Sequence, residues 1–403
     1  MVQGGRTMKR VGFLVQSDQT AWLGGLSYLR NLLRAVLSNP DRRIEPVLLV
    51  HPALAEENLV GFPALEIVRT QLASHRHLAR LASRALLTLI DRDLTLEWLL
   101  RRHRIDALSH SVTTGAKSRI ASISWIPDFQ HIRLPNYFSQ QERIERDRQF
   151  SHKVNQSSRV VLSSQDALRD FISFAPSAAH KACILKFVSC FESTGVELTQ
   201  EQLCLRFGID RPFFLLPNQF WAHKDHAVVV EALGILRKQG TKALVLATGA
   251  TKDYRNPKHF GQLMARVKDL GIEDSFRVLG IVTLTELYSL MLNALSLINP
   301  SKFEGWSTTV EESKSLGLPI ILSDIPVHRE QAPQLGRYFK TGSAEDLAEA
   351  MKAAIREYDP AVVFQCRTVS GLALVDRVQQ FGKVFEEIVI GAIVDRLSKA
   401  GSA

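Results

Sequence analysis

Short, uninterrupted apolar runs alternate with amphipathic stretches along the first half of the chain. The first run, 11–15, leads into a polar loop, after which leucine and valine recur at helical spacing over 26–37. Later runs share this continuous apolar character, and we interpret each as a buried strand: 46–50, 105–108, 120–126 and 160–163. Continuously apolar strands separated by helices are typical of a parallel sheet that is covered on both faces.

A second series of the same kind follows a polar connection at 189–210, for which a partly helical structure is an open alternative. Its apolar runs again alternate with amphipathic stretches: 213–216, 243–247, 276–279, 295–298 and 320–322. The two series predict an α/β protein with two Rossmann-like domains, 8–188 and 211–374, facing each other across a cleft. A final helical pattern occupies 375–403, and we expect this helix either to close the second domain or to cross back to the first.

Composition narrows the class of protein without changing this architecture. Hydrophobic residues make up 45% of the 403 positions and charged residues 23%, which is typical of a globular chain and excludes a disordered or fibrous protein. The four cysteines show neither C-x-x-C spacing nor paired histidines, so we expect no metal site. No apolar stretch approaches the roughly 18 residues of a membrane span, and 11–15 is too short for the core of a signal peptide. We therefore expect a cytoplasmic protein.

The most informative segment is 302–324, which reads KFEGWSTTVEESKSLGLPIILSD. Its T-T-V-E stretch has the form of a capping box, so we expect a helix that starts at Thr308, which would be its cap, and stops at Gly317. Glu304 then precedes the helix, and Glu312 lies one turn inside it. The first-turn amides and the helix dipole favour a phosphate. Two carboxylates flanking that position suit the hydroxyls of a sugar and a ribose.

This segment resembles the E-x7-E motif of the retaining glycosyltransferases of family four, which have the GT-B fold. Glu304 matches the first glutamate of the motif and Glu312 the second. The resemblance implies that Glu304 contacts the donor sugar and that Glu312 contacts the ribose. It also implies that the sugar and diphosphate are held by Gly305 and by the amides of Thr308, Thr309 and Val310. The remaining acid, Glu311, is interpreted as an ordinary solvated residue of the helix.

A second segment, 215–233, follows the first strand of the second series and reads LLPNQFWAHKDHAVVVEAL. It resembles the G-R-x-x-x-x-K segment of the same family, whose basic residues hold the donor diphosphate. Lys224 stands at the lysine position, whereas Gln219 stands at the arginine position. The resemblance implies that Lys224 stabilises the leaving group with the helix terminus, or with another basic residue that replaces the missing arginine. A surface lysine after a strand is the alternative.

The segment 125–139, WIPDFQHIRLPNYFS, resembles the acceptor-side loop of the family. Asp128 matches the aspartate of that loop, and we place it among the catalytic residues. Pro127 stands where the family usually has a histidine, so no role of that histidine carries over. We place His131 on the acceptor side, with a role in packing the loop as an equal alternative.

The stretch Trp22-Leu23-Gly24-Gly25-Leu26 resembles the glycine loop that covers the donor phosphates in this family. We therefore expect Gly24 and Gly25 to bind the donor from a loop that precedes a helix. A pair of glycines before a helix is by itself only the signature of a turn. The other matching segments are what favour a binding role here.

Positive charge concentrates in 69–104, where eight arginines stand against three acidic residues. This local excess of five accounts for more than half of the formal charge of +9. Leucines are interleaved with the arginines, which predicts either a basic amphipathic helix on an anionic membrane or a solvated helix face. We interpret the D-x-D triplet at 91–93 as solvated helix surface. The chain shows no recognisable nucleic-acid-binding motif.

Together the segments imply a retaining glycosyltransferase that moves a hexose from a nucleotide-diphosphate sugar to a hydroxyl of a glycan or lipid-linked acceptor in polysaccharide biosynthesis. Glu304, Lys224 and Asp128 are the expected catalytic residues, and no cofactor or metal is expected beyond the nucleotide-sugar co-substrate. Peripheral contact with the inner face of an anionic membrane is a further expectation, and nucleic acid is not an expected partner. Two alternatives stay open, a nucleotide-sugar epimerase of the same architecture and a catalytically silent nucleotide-sugar-binding protein.

Overall fold

The computed structural model describes residues 8–15, 23–74, 87, 89–190 and 197–401. The chain divides into two compact units. Unit 1 comprises Met1–Phe129, Gln140–Val188 and Val375–Ala403, and unit 2 comprises Gln130–Ser139 and Ser189–Leu374. The assignment of the ten residues 130–139 to unit 2 is a feature that the sequence pattern does not predict.

Unit 1 is built on a parallel sheet with the strand order β3-β2-β1-β4-β5-β6-β7. Its described strands are β1 (Lys9–Val15), β2 (Ile44–Val50), β3 (Glu66–Arg69), β4 (Ala107–Ser109), β5 (Ala121–Ile126), β6 (Arg159–Leu162) and β7 (Ala182–Ile184). The helices of unit 1 that the structure describes before residue 189 are α1 (Leu23–Leu37), α2 (Leu94–Arg102), α4 (Gln140–Gln156) and α5 (Gln165–Phe174). Between β5 and α4, the short helix α3 (Gln130–Arg133) belongs to unit 2.

Unit 2 is built on a second parallel sheet with the order β10-β9-β8-β11-β12-β13. Its described strands are β8 (Phe214–Leu216), β9 (Val245–Thr248), β10 (Phe276–Gly280), β11 (Ser296–Asn299), β12 (Ile320–Ser323) and β13 (Gly336–Phe339). The helices between and after them are α6 (Gln200–Phe207), α7 (His226–Lys238), α8 (His259–Asp269), α9 (Leu284–Asn293), α10 (Thr308–Leu316), α11 (Pro326–Gln331) and α12 (Ala344–Arg356).

Both faces of the second sheet are buried, which explains why its strands are continuously apolar. Phe214 and Leu216 of β8 pack with α7 residues such as Val229 in one core. Phe213 and Leu215, which point to the opposite face, pack with Leu290 of α9 in another. Unit 1 follows the same rule, with separate apolar clusters under α2 and under α4 and α5. The predicted α/β class with two parallel sheets is confirmed.

The last helix, α13 (Pro360–Gly401), is longer than the pattern at 375–403 predicts and begins fifteen residues earlier. Its residues from Val375 onward belong to unit 1. There Phe385 packs on Phe13 of β1 with ring centroids 5.9 Å apart. A Cβ added at Gly382 would lie 2.3 Å from the carbonyl oxygen of Ala35 in α1. The glycine therefore lets two helices of unit 1 approach closely.

The polar connection at 189–210 is partly helical, in line with the alternative that its sequence leaves open. It contains α6, which begins with a capping box between Thr199 and Gln202 and ends at Gly208 in the left-handed conformation. Leu203 of α6 is buried in the apolar core of unit 2. The helix is mostly polar because it packs through one narrow apolar face.

Candidate active site

Helix α10 spans Thr308–Leu316, as the sequence predicts, but its cap is one residue earlier than expected. The Oγ of Ser307 accepts a hydrogen bond from the Val310 amide at 3.4 Å, so Ser307 is the N-cap. Asn299 at the end of β11 donates from Nδ2 to the same Oγ at 2.7 Å. Gly317 ends the helix with φ of 62°, where a non-glycine side chain would be strained.

The interpretation of Glu311 as a solvated residue is wrong, because Glu311 is 1% exposed. Its Oε1 accepts hydrogen bonds from Nε2 of Gln331 at 3.1 Å and from Nζ of Lys314 at 3.3 Å. Because Ser307 is the cap, Glu311 lies one position beyond the residue that would complete a capping box. Its hydrogen bond from Gln331 instead links α10 to α11. The amides of Thr308 and Thr309 have no acceptor among the described residues, while that of Val310 is used by the cap.

Lys224 and Glu304 form an ion pair, with 2.6 Å between Nζ and Oε1. The lysine ends a short 3-10 turn, Ala222–Lys224, in the loop after β8. The glutamate lies in the loop between β11 and α10. Strands β8 and β11 are neighbours. The strands that follow β8 in the chain, β9 and β10, lie on one side of this pair, and those that follow β11, β12 and β13, lie on the other. This is the switch point at which parallel α/β sheets bind ligands, beyond the carboxyl ends of the strands.

The Glu304 carboxylate is oriented by buried polar residues that follow β11. Ser301 Oγ lies 2.7 Å from Oε1 of Glu304 and 2.7 Å from Oδ1 of Asn299. Asn299 in turn holds Ser307 at the start of α10. Asn299 and Ser301 are both fully buried. Sequence reasoning missed these two residues, although their signal was visible as polar residues at the end of an apolar strand.

Glu312 differs from Glu304 because its carboxyl has no hydrogen-bond or ion-pair partner in the part of the chain that the structure describes. Burial raises its pKa to about 8. The carboxyl is therefore largely protonated at neutral pH, and it can both donate and accept a hydrogen bond. Such a group in the second turn of α10 is suited to pairs of ligand hydroxyls.

The other residues predicted to bind the donor lie in the same two loops. Gln219 is exposed in the loop after β8, five residues before Lys224. Gly305 is half-buried between Glu304 and the cap of α10. Unit 2 thus brings together the residues predicted on the E-x7-E segment and on the lysine segment, around one end of its sheet.

Sequence comparison agrees with this geometry. Residues 205–365 match the family model described as Glycosyl transferases group 1. This match places the similarity to the glycosyl transferases group 1 family in unit 2. The predicted family resemblance is thereby confirmed, and the match supports the prediction of a glycosyltransferase. A curated relative, mannosylfructose-phosphate synthase of Agrobacterium fabrum, is 25% identical over 129 residues, which is 32% of this chain and only 28% of that relative.

Comparison of folds extends the likeness to both units. HepE from Anabaena, solved in complex with UDP and glucose, matches with a TM-score of 0.64 at 15% identity, covering 94% of this chain and 98% of that chain. Sucrose-phosphate synthase from Thermosynechococcus elongatus matches with a TM-score of 0.62 at 12% identity, covering 97% of this chain and 100% of that chain. Identities this low show the fold alone, and the predicted GT-B fold is confirmed.

Two residues predicted on the acceptor side of this glycosyltransferase fold lie in different units. Asp128 follows β5 in unit 1 and is half-buried. His131 lies in α3, which belongs to unit 2, and is 2% exposed. Its ring meets Phe138 edge to face, with centroids 6.4 Å apart. The structure therefore shows a packing contact for His131.

The predicted glycine loop is the first turn of a helix. Helix α1 begins at Leu23, so Gly24 and Gly25 are helical rather than placed before the helix. Trp22 lies outside the described residues. Two glycines are tolerated here because the first turn of a helix has few backbone hydrogen bonds to lose. Any donor contact of these glycines would come from first-turn amides.

The basic stretch 69–104 lies partly outside the described residues, which leave out Arg76, Arg80 and Arg84. Arg69 donates to the carbonyl oxygens of Pro52 and Leu54, and Arg92 forms an ion pair with the buried Glu97 at 2.6 Å. The interpretation of the D-x-D triplet as solvated is wrong for Asp93. That residue is fully buried and caps α2, accepting from the Leu96 amide at 2.9 Å.

Proposed function

We propose that this protein is a retaining hexosyltransferase, which transfers a hexose from a nucleotide-diphosphate sugar to a hydroxyl of a glycan or lipid-linked acceptor in polysaccharide biosynthesis. The observation that carries the proposal is the contact between Lys224 and Glu304 at the switch point of unit 2, beside the first turn of α10. It supports a site in which a cation, a carboxylate and helix amides act together on a sugar diphosphate. HepE, a structural neighbour, was solved with UDP and glucose, which supports a nucleotide-sugar donor.

Lys224 and the amides of Thr308 and Thr309 bind the donor diphosphate in this proposal. Negative charge grows on the diphosphate as the bond from its oxygen to the sugar C1 breaks, and these groups stabilise that charge. Gln219 replaces a fixed charge with a neutral amide donor, so Lys224 carries more of the stabilisation. No step requires a metal, because the protein supplies the positive charge.

Glu304 hydrogen-bonds a hydroxyl of the donor sugar, and Glu312 takes the hydroxyls of the ribose. The acceptor oxygen forms its bond to C1 on the face that the leaving group vacates, and the acceptor proton passes to the departing phosphate oxygen. Asp128 and His131 are assigned to the acceptor side. Configuration at C1 is retained because bond making and bond breaking share one face of the sugar.

A panel of UDP-, GDP- and ADP-hexoses with isoprenoid-linked acceptors tests the proposal. We expect one donor to give a glycosylated acceptor with the donor's anomeric configuration, and we expect Glu304→Gln and Lys224→Ala to abolish transfer. Lys352→Ala is the matched control, since Lys352 forms an exposed ion pair with Glu349 at 2.9 Å. Release of an isomeric nucleotide sugar without transfer would favour an epimerase. Binding without turnover for every pair would favour a silent binding protein.

We also propose that the protein acts at the cytoplasmic face of the membrane through an exposed stripe on α2. The stripe consists of residues at positions i, i+4, i+7 and i+8 of the helix, which are Leu94, Trp98, Arg101 and Arg102. Trp98 is 61% exposed. The guanidinium carbon of Arg102 lies 5.5 Å from the centroid of the Trp98 ring. The acids of this helix, Asp93 and Glu97, are buried. An apolar and basic stripe of this kind fits an anionic lipid surface.

Within the described residues, no helix is long and apolar enough to cross a membrane. Sedimentation with phosphatidylglycerol and phosphatidylcholine vesicles tests the surface contact. We expect binding to the anionic vesicles only, and about fivefold weaker binding for Arg102→Gln, since each basic residue contributes about 1 kcal/mol. Trp98→Ala should weaken binding, whereas Phe364→Ala, at a residue 72% exposed in unit 2, should not. Equal binding of the wild type and Trp98→Ala would contradict this contact.

A further inference from the structure

Arg255, in the loop after β9, is a buried cation that sequence reasoning did not single out. Only 5% of its side chain is exposed, and it forms an ion pair with Asp253 at 3.2 Å. Asp253 is itself buried and accepts a hydrogen bond from the Ala222 amide at 3.0 Å. The loop that carries Lys224 is thus attached directly to the loop that carries Arg255.

The guanidinium of Arg255 contacts two other segments of unit 2, each through one polar and one aromatic residue. From the segment 130–139, Gln130 Oε1 accepts from Nη1 at 3.2 Å, and the Phe138 ring lies 5.2 Å from the guanidinium carbon. From the loop 219–224, His223 Nδ1 lies 3.3 Å from Nη2, and the Trp221 ring lies 4.9 Å away. One planar side chain therefore joins the lysine loop to the segment that carries His131.

The protonation state of His223 fits this contact. Burial, together with the positive charges of Lys224 and Arg255, lowers the pKa of His223 well below its usual value. The neutral ring can accept a hydrogen bond from the guanidinium at Nδ1. The carbonyl oxygen of His223 accepts from the Lys302 amide at 2.8 Å, two residues before Glu304. A shift of the lysine loop would therefore displace both Arg255 and the backbone that precedes Glu304.

We propose that Arg255 is a positioning residue, which couples the diphosphate loop 219–224 to the segment 130–139, so that donor binding at Lys224 orders the acceptor-side segment. This inference rests on the proposed function and adds an order to it, with donor contacts preceding acceptor placement. A planar fork with several fixed donors can hold both segments at once, whereas a single ammonium group cannot.

Hydrogen–deuterium exchange of the full chain, with and without saturating UDP, GDP or ADP, tests the coupling without knowledge of the acceptor. In the wild type, we expect the effective nucleotide to slow exchange both in 219–224 and in 130–139. In Arg255→Lys and Arg255→Ala, protection of 219–224 should remain while the response of 130–139 is lost. Arg266→Lys is the matched control, because Arg266 forms an exposed two-bond pair with Glu231 at 2.6 and 2.8 Å.

A kinetic readout separates positioning from loss of folding. With the active donor and acceptor, the ratio of transfer to donor hydrolysis should fall at least about tenfold in Arg255→Lys, because a misplaced acceptor segment slows transfer more than attack by water. The KM for donor should change little. An unchanged ratio, or a retained response of 130–139, would overturn the coupling. If no nucleotide protects 219–224 in the wild type, the proposed function fails, and the coupling fails with it.

Discussion

Lys224 and Glu304 are 80 positions apart in the chain, and their charged atoms lie 2.6 Å apart at the edge of one sheet. Each is mostly buried, with 19% and 9% of the side chain exposed. Their contact follows from the adjacency of β8 and β11. Each charge can be removed alone or together with the other, so the effects of the pair on unfolding and on sugar transfer can be measured separately.

Removing one partner should cost stability, and removing both should restore part of it. Lys224→Met leaves the Glu304 carboxylate without its cation, so we expect the free energy of unfolding to fall by about 1–3 kcal/mol. The double variant Lys224→Met, Glu304→Gln should recover some of that loss, while kcat stays on the order of 100-fold or more below the wild type. Urea unfolding and transfer assays measure the two effects. Recovery of activity in the double variant would contradict the assigned roles.

Ser307, rather than Thr308, should be the residue on which α10 depends. Ser307→Ala removes the cap and leaves Asn299 Nδ2 without its acceptor, so we expect a loss of about 1–2 kcal/mol in unfolding free energy. Thr308→Ala, the adjacent control, should change it by less than about 0.5 kcal/mol. Chemical denaturation of both variants decides between the two cap positions, and a larger effect at Thr308 would favour the capping box expected from the sequence.

Glu312 should make nucleotide binding release a proton. Its pKa of about 8 keeps the free protein protonated near neutral pH, and ribose hydroxyls that donate to the carboxylate would lower that pKa on binding. Calorimetric titration in buffers with different ionisation enthalpies measures the proton release, which should vanish in Glu312→Gln. Proton uptake, or the same release in the variant, would contradict this role.

The same carboxyl should make unfolding pH-dependent. Its pKa in the folded state lies above the ordinary value of 4.5, so its contribution to stability is greatest below pH 4.5 and is lost as pH rises through about 8. Glu312→Gln should therefore gain stability relative to the wild type across that interval. Thermal unfolding at several pH values measures the difference, and a constant difference between the two proteins would contradict the raised pKa.

Two glycines of α13 should respond in opposite ways to the same substitution. Gly382→Ala places a Cβ against the Ala35 carbonyl, so we expect a loss of about 1–3 kcal/mol. Gly391→Ala enters open space in the same helix and should raise stability by up to about 1 kcal/mol, since alanine is the better helix former. Thermal unfolding of both variants checks the prediction. Equal Tm values would show that the contact at Ala35 is not tight.

Much of this fold can be predicted locally, because strands buried on both faces leave continuous apolar runs. The central strands β1, β2 and β11 lie close to their predicted ranges. The edge strands β3, β7 and β13 were not predicted. In β3, three of four residues are exposed, so its sequence lacks the apolar run. The E-x7-E helix was likewise found from its own residues, because helix starts, helix ends and acid spacing are encoded over a few neighbouring positions.

Features that depend on distant contacts were missed or misread. Glu311 is buried because Gln331 from another helix meets it, and neither its charge nor its spacing indicates that. Arg255 has no motif of its own, and its importance follows from Gln130, Phe138 and His223 meeting one side chain. The chain sequence therefore specifies the strands, the helix of the site and the carboxylates and lysine that it carries. Which side chains are paired, buried or left without a partner is set by the sheet order, since that order brings together loops that are far apart in the chain.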